Sequence, residues 1–502
     1  MSQDPAGRPV YNSDTIIALA TPSGIGAIGV IRLSGPDAIS LVNEVFGGKD
    51  LSIQHSHTIH FGTIKDGSQI IDEVLVSLFI APKSYTRENV VEISTHGSAF
   101  IIESIIKLLI RKGARPANPG EFTLRAFLNG QLDLSQAEAV ADLIASNSKA
   151  SHQVAMQQMR GGFSSELQNL REKLIHFASM IELELDFGEE DVEFANREDL
   201  KGLIFQINRI LHRLIQSFEQ GNVMKNGVPV VIAGKPNVGK STLLNALLNE
   251  ERANVSEIPG TTRDTVEDEM ILGGINFRFI DTAGIRDTVD IIEAKGVERT
   301  HEKISRAKLI IYLVDPEQSA EEIAVQIKYL SDLDIPFVTV VNKSDLVSPE
   351  FEEELSVVSG RLLGTPDVGS QKSEDGSRRS DVGSQKSDRD SSDLRPQSSD
   401  LIYISAKNNI GIEDLKSEIL HKINLHAINT DDVLISNIRH LEALQKTEEA
   451  LNRVLENIDN PDTSDFLAAD IKQALFYLGE ITGEVTTEDL LETIFSKFCI
   501  GK

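Results

Sequence analysis

The chain has a single cysteine, Cys499, so no intrachain disulfide can brace it, which fits a reducing compartment. Long apolar runs are missing too. The most apolar stretches, residues 101–110 and 335–341, fall well short of the roughly 18 residues that a bilayer span needs, so no membrane segment is expected. The opening MSQDPAGRPVYNSD has neither an apolar h-region nor an Arg-rich amphipathic character, which makes the cytoplasm the expected location. Positive charge is scarce: 49 Lys and Arg face 77 Asp and Glu, for a net charge of -28. Nucleic-acid affinity is carried mainly by cations that neutralise phosphates, so this balance opposes a large basic footprint. If the protein acts on RNA, a partner is expected to grip it.

What is present is apolar sequence sufficient for several cores, 40% of 502 residues, and about 100 to 200 residues per domain suggests roughly three units. Residues 14–130 alternate short β-branched runs (TIIALA, IGVIRL at Ile28 to Leu33, VLVSLFI, VVEIS) with turn residues and one helical stretch near 100–112. This predicts a small α+β domain, bounded at 1–130. Apolar residues recur at helical spacing from Ser135 to Phe218 and again from Asp432 to Phe498, two parts of one helical domain bounded at 131–226 and 425–502. Between them, 227–424 alternates strands (VPVVIA, INFRFID, LIIYLVD, PFVTVVN, LIYISA) with helices, the signature of an inserted parallel α/β unit. The fold class expected is therefore multidomain α/β and all-α. Residues 365–399, rich in Ser, Asp, Gly and Lys with DVGSQKS twice, cannot bury enough apolar surface to offset chain entropy and predict a disordered insertion.

The run VVIA leads into GKPNVGKST, residues 234–242, and then LLNALL, a complete G-x-x-x-x-G-K-[ST] motif between a strand and a helix. Backbone N–H groups there can surround phosphates, with Lys240 reaching the β and γ groups and Ser241 a Mg²⁺ ion. After INFRFI comes Asp281-Thr282-Ala283-Gly284, where Asp281 can hold Mg²⁺ through water and the Gly284 N–H can sense a γ-phosphate. After PFVTVV comes Asn342-Lys343-Ser344-Asp345, whose carboxylate can accept two hydrogen bonds from guanine N1–H and N2–H₂. Ser405-Ala406-Lys407 supplies a last base-contacting loop, and Thr261-Thr262-Arg263-Asp264 lies where a switch loop would carry a Mg²⁺-binding threonine. Together these predict a GTP-hydrolysing G domain. The glutamine that positions water in Ras-like proteins is replaced by Ile285. Another group must act, and the residues alone do not choose among Asp287, Asp290 and Glu293.

GKPNVGKST, PGTTRD, DTAGIR followed by IEAKGVER, and the terminal FCIGK together resemble the tRNA-modification GTPases of the wobble-uridine pathway, the TrmE/MnmE-type family, over nearly the whole chain. The resemblance implies an N-terminal tetrahydrofolate-binding-like domain that also forms a homodimer, a discontinuous helical domain, and an inserted Ras-like P-loop G domain. It implies that Glu293 orients water and that Asn237 binds K⁺, with Ser256, Ile258 and Thr261 completing a cage whose charge serves as an arginine finger does. The nucleotide contacts it implies are Asn237, Val238, Gly239, Lys240, Ser241, Thr242, Ser256, Glu257, Ile258, Pro259, Gly260, Thr261, Thr262, Asp281, Thr282, Ala283, Gly284, Asn342, Lys343, Asp345, Ser405, Ala406 and Lys407, with Mg²⁺ on Ser241 and Thr262. Folate, as 5-formyl- or methylene-tetrahydrofolate, would meet Arg32, Glu92, Gln131 and Lys502. Gln131 stands where relatives often carry a basic residue, and so removes one charge partner for the folate glutamate tail. The tail would bring Cys499 to that region, as a reactive thiol or as a small packed hydrophobe. The implied activity is K⁺-dependent GTP hydrolysis that, with an FAD-dependent partner in a heterotetramer, serves addition of a carboxymethylaminomethyl-type group at C5 of uridine 34 of certain tRNAs.

The rival is a regulatory ribosome-assembly or RNA-binding GTPase without modification chemistry. Three further patterns read as structural. Gly24 to Gly29 fits G-x-G-x-x-G but opens into VIRLSG rather than a helix. His55, His57 and His60 are joined by no Cys or carboxylate cluster that would complete a zinc site. The acidic stretch Glu182 to Glu193 lacks an EF-hand pattern.

Overall fold

A computed structural model describes residues 14–186, 197–252, 268–280, 307–333, 335–362, 401–423, 433–459 and 464–501. The chain divides into two compact units, one made of Met1–Lys225 with Asp431–Lys502 and the other of Asn226–Thr430.

The first unit begins with β1 (Ile16–Leu19), β2 (Ile28–Ser34), α1 (Ala38–Val45), β3 (Phe46–Gly47), β4 (Thr58–Asp66), β5 (Gln69–Phe79), β6 (Val90–His96), α2 (Ala99–Arg111), β7 (Arg115–Pro116) and α3 (Glu121–Leu128). The strands form one sheet in the order β3-β4-β5-β6-β2-β1-β7, antiparallel except for β1 beside β7. Alternation sends Ile31, Leu33, Val74, Val76, Leu78, Val91 and Ile93 into a core shared with Val42 of α1 and Ile105 and Leu109 of α2. The other face keeps large apolar residues exposed, Ile28 at 65%, Phe61 at 68% and Leu75 at 46%. The helical stretch expected near 100–112 is α2. The sequence reading named neither β4 nor α1, whose mixed composition hides their periodicity.

Next come α4 (Leu134–Ala145), α5 (Lys149–Met159), α6 (Gly162–Asp186) and α7 (Arg197–Asn226). Asp133 accepts from Gln136 N and Gln136 returns to the Asp133 N–H, a capping box that fixes where α4 starts. A second box, Ser148 with Ser151, starts α5.

The second unit holds β8 (Val228–Ala233), α8 (Lys240–Arg252), β9 (Asp268–Leu272), β10 (Ile275–Phe279), β11 (Leu309–Val314), α9 (Ala320–Ser331), β12 (Phe337–Val341), α10 (Pro349–Leu362), β13 (Leu401–Tyr403) and α11 (Ile412–Ile423). Its sheet order is β13-β12-β11-β8-β10-β9. The five strands expected from sequence lie parallel, and the polar-tipped DEMIL adds β9 antiparallel on the edge, a strand the sequence reading did not name. β11 is buried at every position, as a central strand covered on both faces must be.

The chain then returns to the first unit through α12 (Ile438–Asn457), α13 (Ser464–Thr482) and α14 (Glu488–Phe495). Leu174 and Ile181 of α6, Ile204, Ile207 and Leu211 of α7, Leu444 and Leu451 of α12, and Ile471 and Leu478 of α13 share one core, so the helical text on either side of the insertion makes a single bundle.

Candidate nucleotide-binding site

β8 ends at Ala233, and the chain turns through 234–239 into α8. Gly234 has φ +152 and Gly239 φ +103. A Cβ at Gly234 would lie 2.3 Å from the Leu313 carbonyl oxygen, and one at Gly239 2.3 Å from Asn342 Nδ2, so neither position admits a side chain. Asn237 adopts the left-handed conformation at φ +62, which asparagine tolerates better than most residues. Lys240 Nζ curls over the loop and donates to the Gly234 carbonyl at 2.6 Å and the Lys235 carbonyl at 2.9 Å. That puts an ammonium beside a helix N-terminus, where the helix dipole and backbone N–H groups favour phosphate.

The loops after β12 and β13 converge on the same turn. Asn342, 4% exposed, donates from Nδ2 to the Val238 carbonyl at 2.8 Å, while its Oδ1 accepts from Ala406 N at 3.0 Å. One buried amide thus ties the phosphate loop, the end of β12 and the loop after β13 together. Ser344 N donates to the Ile404 carbonyl at 2.9 Å, and Ser405 Oγ donates to Asp345 Oδ1 at 2.8 Å. Lys343, at φ +58, donates to Asp315 Oδ2 at 2.8 Å. That hydrogen bond raises the lysine pKa and keeps it protonated. Asp315 follows β11 directly and was missed in the sequence, where it reads as the end of a strand. Asn237, Val238, Gly239, Lys240, Ser241 and Thr242 therefore line the β8–α8 turn, and Asn342, Lys343, Asp345, Ser405, Ala406 and Lys407 lie at the ends of β12 and β13.

A second constellation sits on the N-terminal sheet. Arg32 and Glu92 face each other in register on β2 and β6, with Arg32 Nε 2.8 Å from Glu92 Oε1. The guanidinium carbon lies 5.6 Å from the Tyr85 ring centre and 5.7 Å from that of Phe122. These are paired, mid-strand groups rather than isolated charges at strand ends. The C-terminal segment closes on the same region: Gly120 N donates to the Cys499 carbonyl at 3.4 Å, Pro119 bridges Ile500, and a Cβ at Gly501 would sit 2.2 Å from the Leu19 carbonyl oxygen. Phe498 is buried, its ring 5.3 Å from Phe495, whereas Cys499 is exposed. Of the two readings of Cys499, the packed hydrophobe is therefore wrong. Gln131 Oε1 accepts from Arg87 Nε at 2.9 Å, and Arg87 NH1 reaches the Asn129 carbonyl at 3.1 Å. A cation is thus held at the position where the sequence lacks one, and sequence reasoning missed it because Arg87 lies 44 residues from Gln131.

The family model described as GTP-binding protein TrmE N-terminus matches residues 15–131, and that of the MnmE helical domain matches residues 134–499. A protein of Cytophaga hutchinsonii named tRNA modification GTPase MnmE is 54% identical over 98% of both chains. The chain belongs to the MnmE family. Proteins of the same name from Christiangramia forsetii and Flavobacterium johnsoniae are 52% and 51% identical, each over 98% of this chain and covering 99% and 100% of theirs.

Several residues that the MnmE resemblance singles out lie outside the described residues: Ser256, Glu257, Ile258, Pro259, Gly260, Thr261, Thr262, Asp281, Thr282, Ala283, Gly284, Glu293 and Lys502, with Ile285, Asp287, Asp290 and the 365–399 insertion. Ser241 and Asn237 are the expected metal ligands that the structure does describe, at the start of α8 and in the preceding turn. Among the described residues no group of three or more His, Cys, Asp or Glu could hold a metal, and no helix is long and apolar enough to cross a membrane. His57 Nδ1 lies 2.8 Å from Ser56 Oγ and His60 Nε2 2.8 Å from Thr58 Oγ1, so these rings serve local turns. Gly24 to Gly29 runs into β2, as expected, and not into a helix.

Proposed function

We propose that the protein binds GTP across the β8–α8 turn and the loops after β12 and β13, hydrolyses it, and uses the cycle in modification of the wobble uridine of certain tRNAs. The observation that carries this is Asn342, which joins the phosphate loop at Val238 to the guanine-reading loop at Ala406 through one buried amide. Full-length similarity to named tRNA modification GTPases supports the tRNA assignment. Mg²⁺ would neutralise phosphate charge, and Ser241 at the start of α8 is our choice to hold it. K⁺ at Asn237 would add positive charge near the β,γ bridge, and Glu293 is our choice to orient the attacking water.

The N-terminal site is our choice for the folate that donates the one-carbon unit. In its support, the Arg32 guanidinium lies within 5.7 Å of two ring centres and Arg87 offers a cation for a glutamate tail. Exposed Phe61 and Leu75 on the open sheet face suit a homodimer contact. An FAD-dependent partner would complete the chemistry, and with a net charge of -28 that partner is the better grip for tRNA. The expected compartment is the cytoplasm. Nucleoside analysis of wobble uridines in tRNA from cells with and without the protein tests the assignment. Loss of the modified uridine is expected, and an unchanged profile would remove the tRNA role while leaving the GTPase intact.

A further inference from the structure

At the far end of β6 from the Arg32–Glu92 pair stands a side chain that the nucleotide and folate readings leave unused. His96 is 71% exposed, yet its ring is held by a carboxylate that is almost fully buried, Asp72 at 6%. Asp72 Oδ1 lies 2.7 Å from His96 Nδ1, and Asp72 Oδ2 accepts from the His96 backbone N–H at 2.9 Å. A carboxylate accepts, so Nδ1 carries the hydrogen and Nε2 is turned outward as the basic nitrogen.

The arrangement is costly for the fold. Asp72 occupies the inward phase of β5, in step with buried Val74, Val76 and Leu78, where a hydrophobic residue would be favoured and a carboxylate must be desolvated. Its recorded bonds both go to His96, and an exposed histidine needs no such orienting group for stability. The next residue is clamped as well: Gly97 N donates to the Ala27 carbonyl and Gly26 N to the Gly97 carbonyl, each at 3.2 Å. A Cβ at Gly97 would lie 2.2 Å from the Gly26 oxygen. Backbone and ring are both fixed, which is how acid–base residues are held.

Exposed apolar residues adjoin the end of β6. Ile28 lies opposite His96 in register and is 65% exposed, and Ile25 in the clamped glycine loop is fully exposed. Arg32 and Glu92 share the open-face phase of β2 and β6, and His96 ends β6 four residues beyond Glu92, roughly 13 Å at about 3.3 Å per residue. An extended, partly flat molecule held at Arg32 and Glu92 can span that distance over apolar surface.

We propose that His96, aimed by Asp72, is a proton-transfer residue toward the one-carbon carrier bound on the open face of the N-terminal sheet. The inference rests on the folate reading of that site. In the step, an N–H bond at a nitrogen of the carrier breaks as Nε2 of the neutral ring takes its proton. Positive charge passes from carrier to ring, Nδ1–H stays bonded to Asp72, and the reverse transfer restores the ring. No oxidant or reductant is consumed. Asp72 is a positioning residue, since it acts only through the imidazole.

The test uses the full-length protein. Binding of 5-formyl-tetrahydrofolate is measured by equilibrium dialysis for the parent, His96→Ala, Asp72→Asn and Arg32→Ala, and ¹⁵N-histidine spectra report the His96 tautomer. The parent should bind the carrier and show the Nδ1–H tautomer, with the Nε2 signal shifting on binding. His96→Ala should bind within a few-fold of the parent, Asp72→Asn should lose the tautomer preference, and Arg32→Ala should lose binding with the tautomer kept. In single-turnover tRNA modification with the flavoprotein partner, His96→Ala should be slower by about 10²-fold or more, and added imidazole should restore part of the rate. A parent that does not bind the carrier would overturn the folate reading, and this proposal with it. Carrier binding with an unmoved Nε2 signal, a full-speed His96→Ala, or a slow one that imidazole does not rescue would overturn the proposal alone.

Discussion

Asp345 shows what a single atom would do in the proposed base site. Ser405 Oγ donates to its Oδ1 at 2.8 Å, which leaves the other carboxylate oxygen and the remaining lone pairs for a base. In Asp345→Asn the amide oxygen can keep the Ser405 bond, so the loop should hold its shape while an NH₂ group replaces the acceptor that guanine requires. A site built on such a contact rejects the wrong base by on the order of 10⁴, and the variant should lose most of that preference in competition binding of guanine and adenine nucleotides. Retained guanine selectivity would refute the contact. A second substitution pair separates water positioning from cation binding: Glu293→Ala should slow single-turnover hydrolysis by about 10² to 10⁴ with affinity spared, whereas Asn237→Ala should erase the difference between K⁺ and Na⁺. Equal parent rates in the two salts would defeat the cation argument whatever Glu293 does. The nucleotide motifs were legible because each is a contiguous string with fixed spacing. The partners that hold them, Asp315 at Lys343 and Arg87 at Gln131, are remote in sequence and carry no local pattern, and the same holds for Asp72 at His96.

At the scale of elements, α4 carries a polar seam that no periodicity would have disclosed. Glu138, 9% exposed at its side chain, accepts from Arg439 Nε at 3.0 Å and NH2 at 2.9 Å, and His440 Nε2 lies 2.8 Å from its Oε2. Arg439 also donates to the Glu480 carbonyl at 2.6 Å, so α4, α12 and α13 meet at one buried node. Burial works to raise the Glu138 pKa, but the hydrogen bond from His440 and the charge and hydrogen bonds of Arg439 outweigh it and hold the carboxyl at about 2. For His440, burial dominates and lowers the pKa below its ordinary value despite the Glu138 contact. Both folded-state values lie below the unfolded ones, so both groups contribute stability at neutral pH that is lost on acidification. The histidine part should fade first, as pH falls below about 6.5, and the carboxylate part between about 4.5 and 2. Thermal melts from pH 7 to 5 should therefore show the bundle losing stability in the parent and a shallower slope in His440→Gln. An unchanged slope would show that the ring is not buried in its neutral form. Sequence spacing did disclose that the two flanking segments are helical. It could not disclose that one carboxylate fastens them, because Glu138 and His440 are 302 residues apart.

Over the whole molecule, the insertion of one unit into another raises the question of what closes the seam where the chain leaves and returns. The first unit supplies its own closure. Asp142 of α4 pairs with Lys225, near the end of α7, at 2.7 Å, one helical turn from where Glu138 holds Arg439 and His440 at the start of α12. Ser217 Oγ accepts from Ile435 N at 3.1 Å, and a Cβ on Gly221 would lie 2.2 Å from the Ile435 oxygen, so α7 and the segment that leads into α12 run in close contact. Among the described residues, the segments flanking the insertion are thus held within the first unit, and the second unit has its own buried sheet with Ile310, Val314 and Ile323 in its core. Two units with separate cores should unfold in two steps rather than one. Calorimetry of the full-length protein should resolve them, and saturating GTP with Mg²⁺ should raise only the transition of the 226–430 unit, by about 2.7 kcal/mol at a hundredfold excess over Kd. Glu138→Ala leaves Arg439 without its buried partner, which typically costs about 3 to 5 kcal/mol, and should lower only the other transition. Guanine-nucleotide affinity should be unchanged in that variant below its first melting step. A single transition that moves with both nucleotide and Glu138→Ala would show that the seam transmits folding between the units, and that closure by α4 does not make the first unit independent.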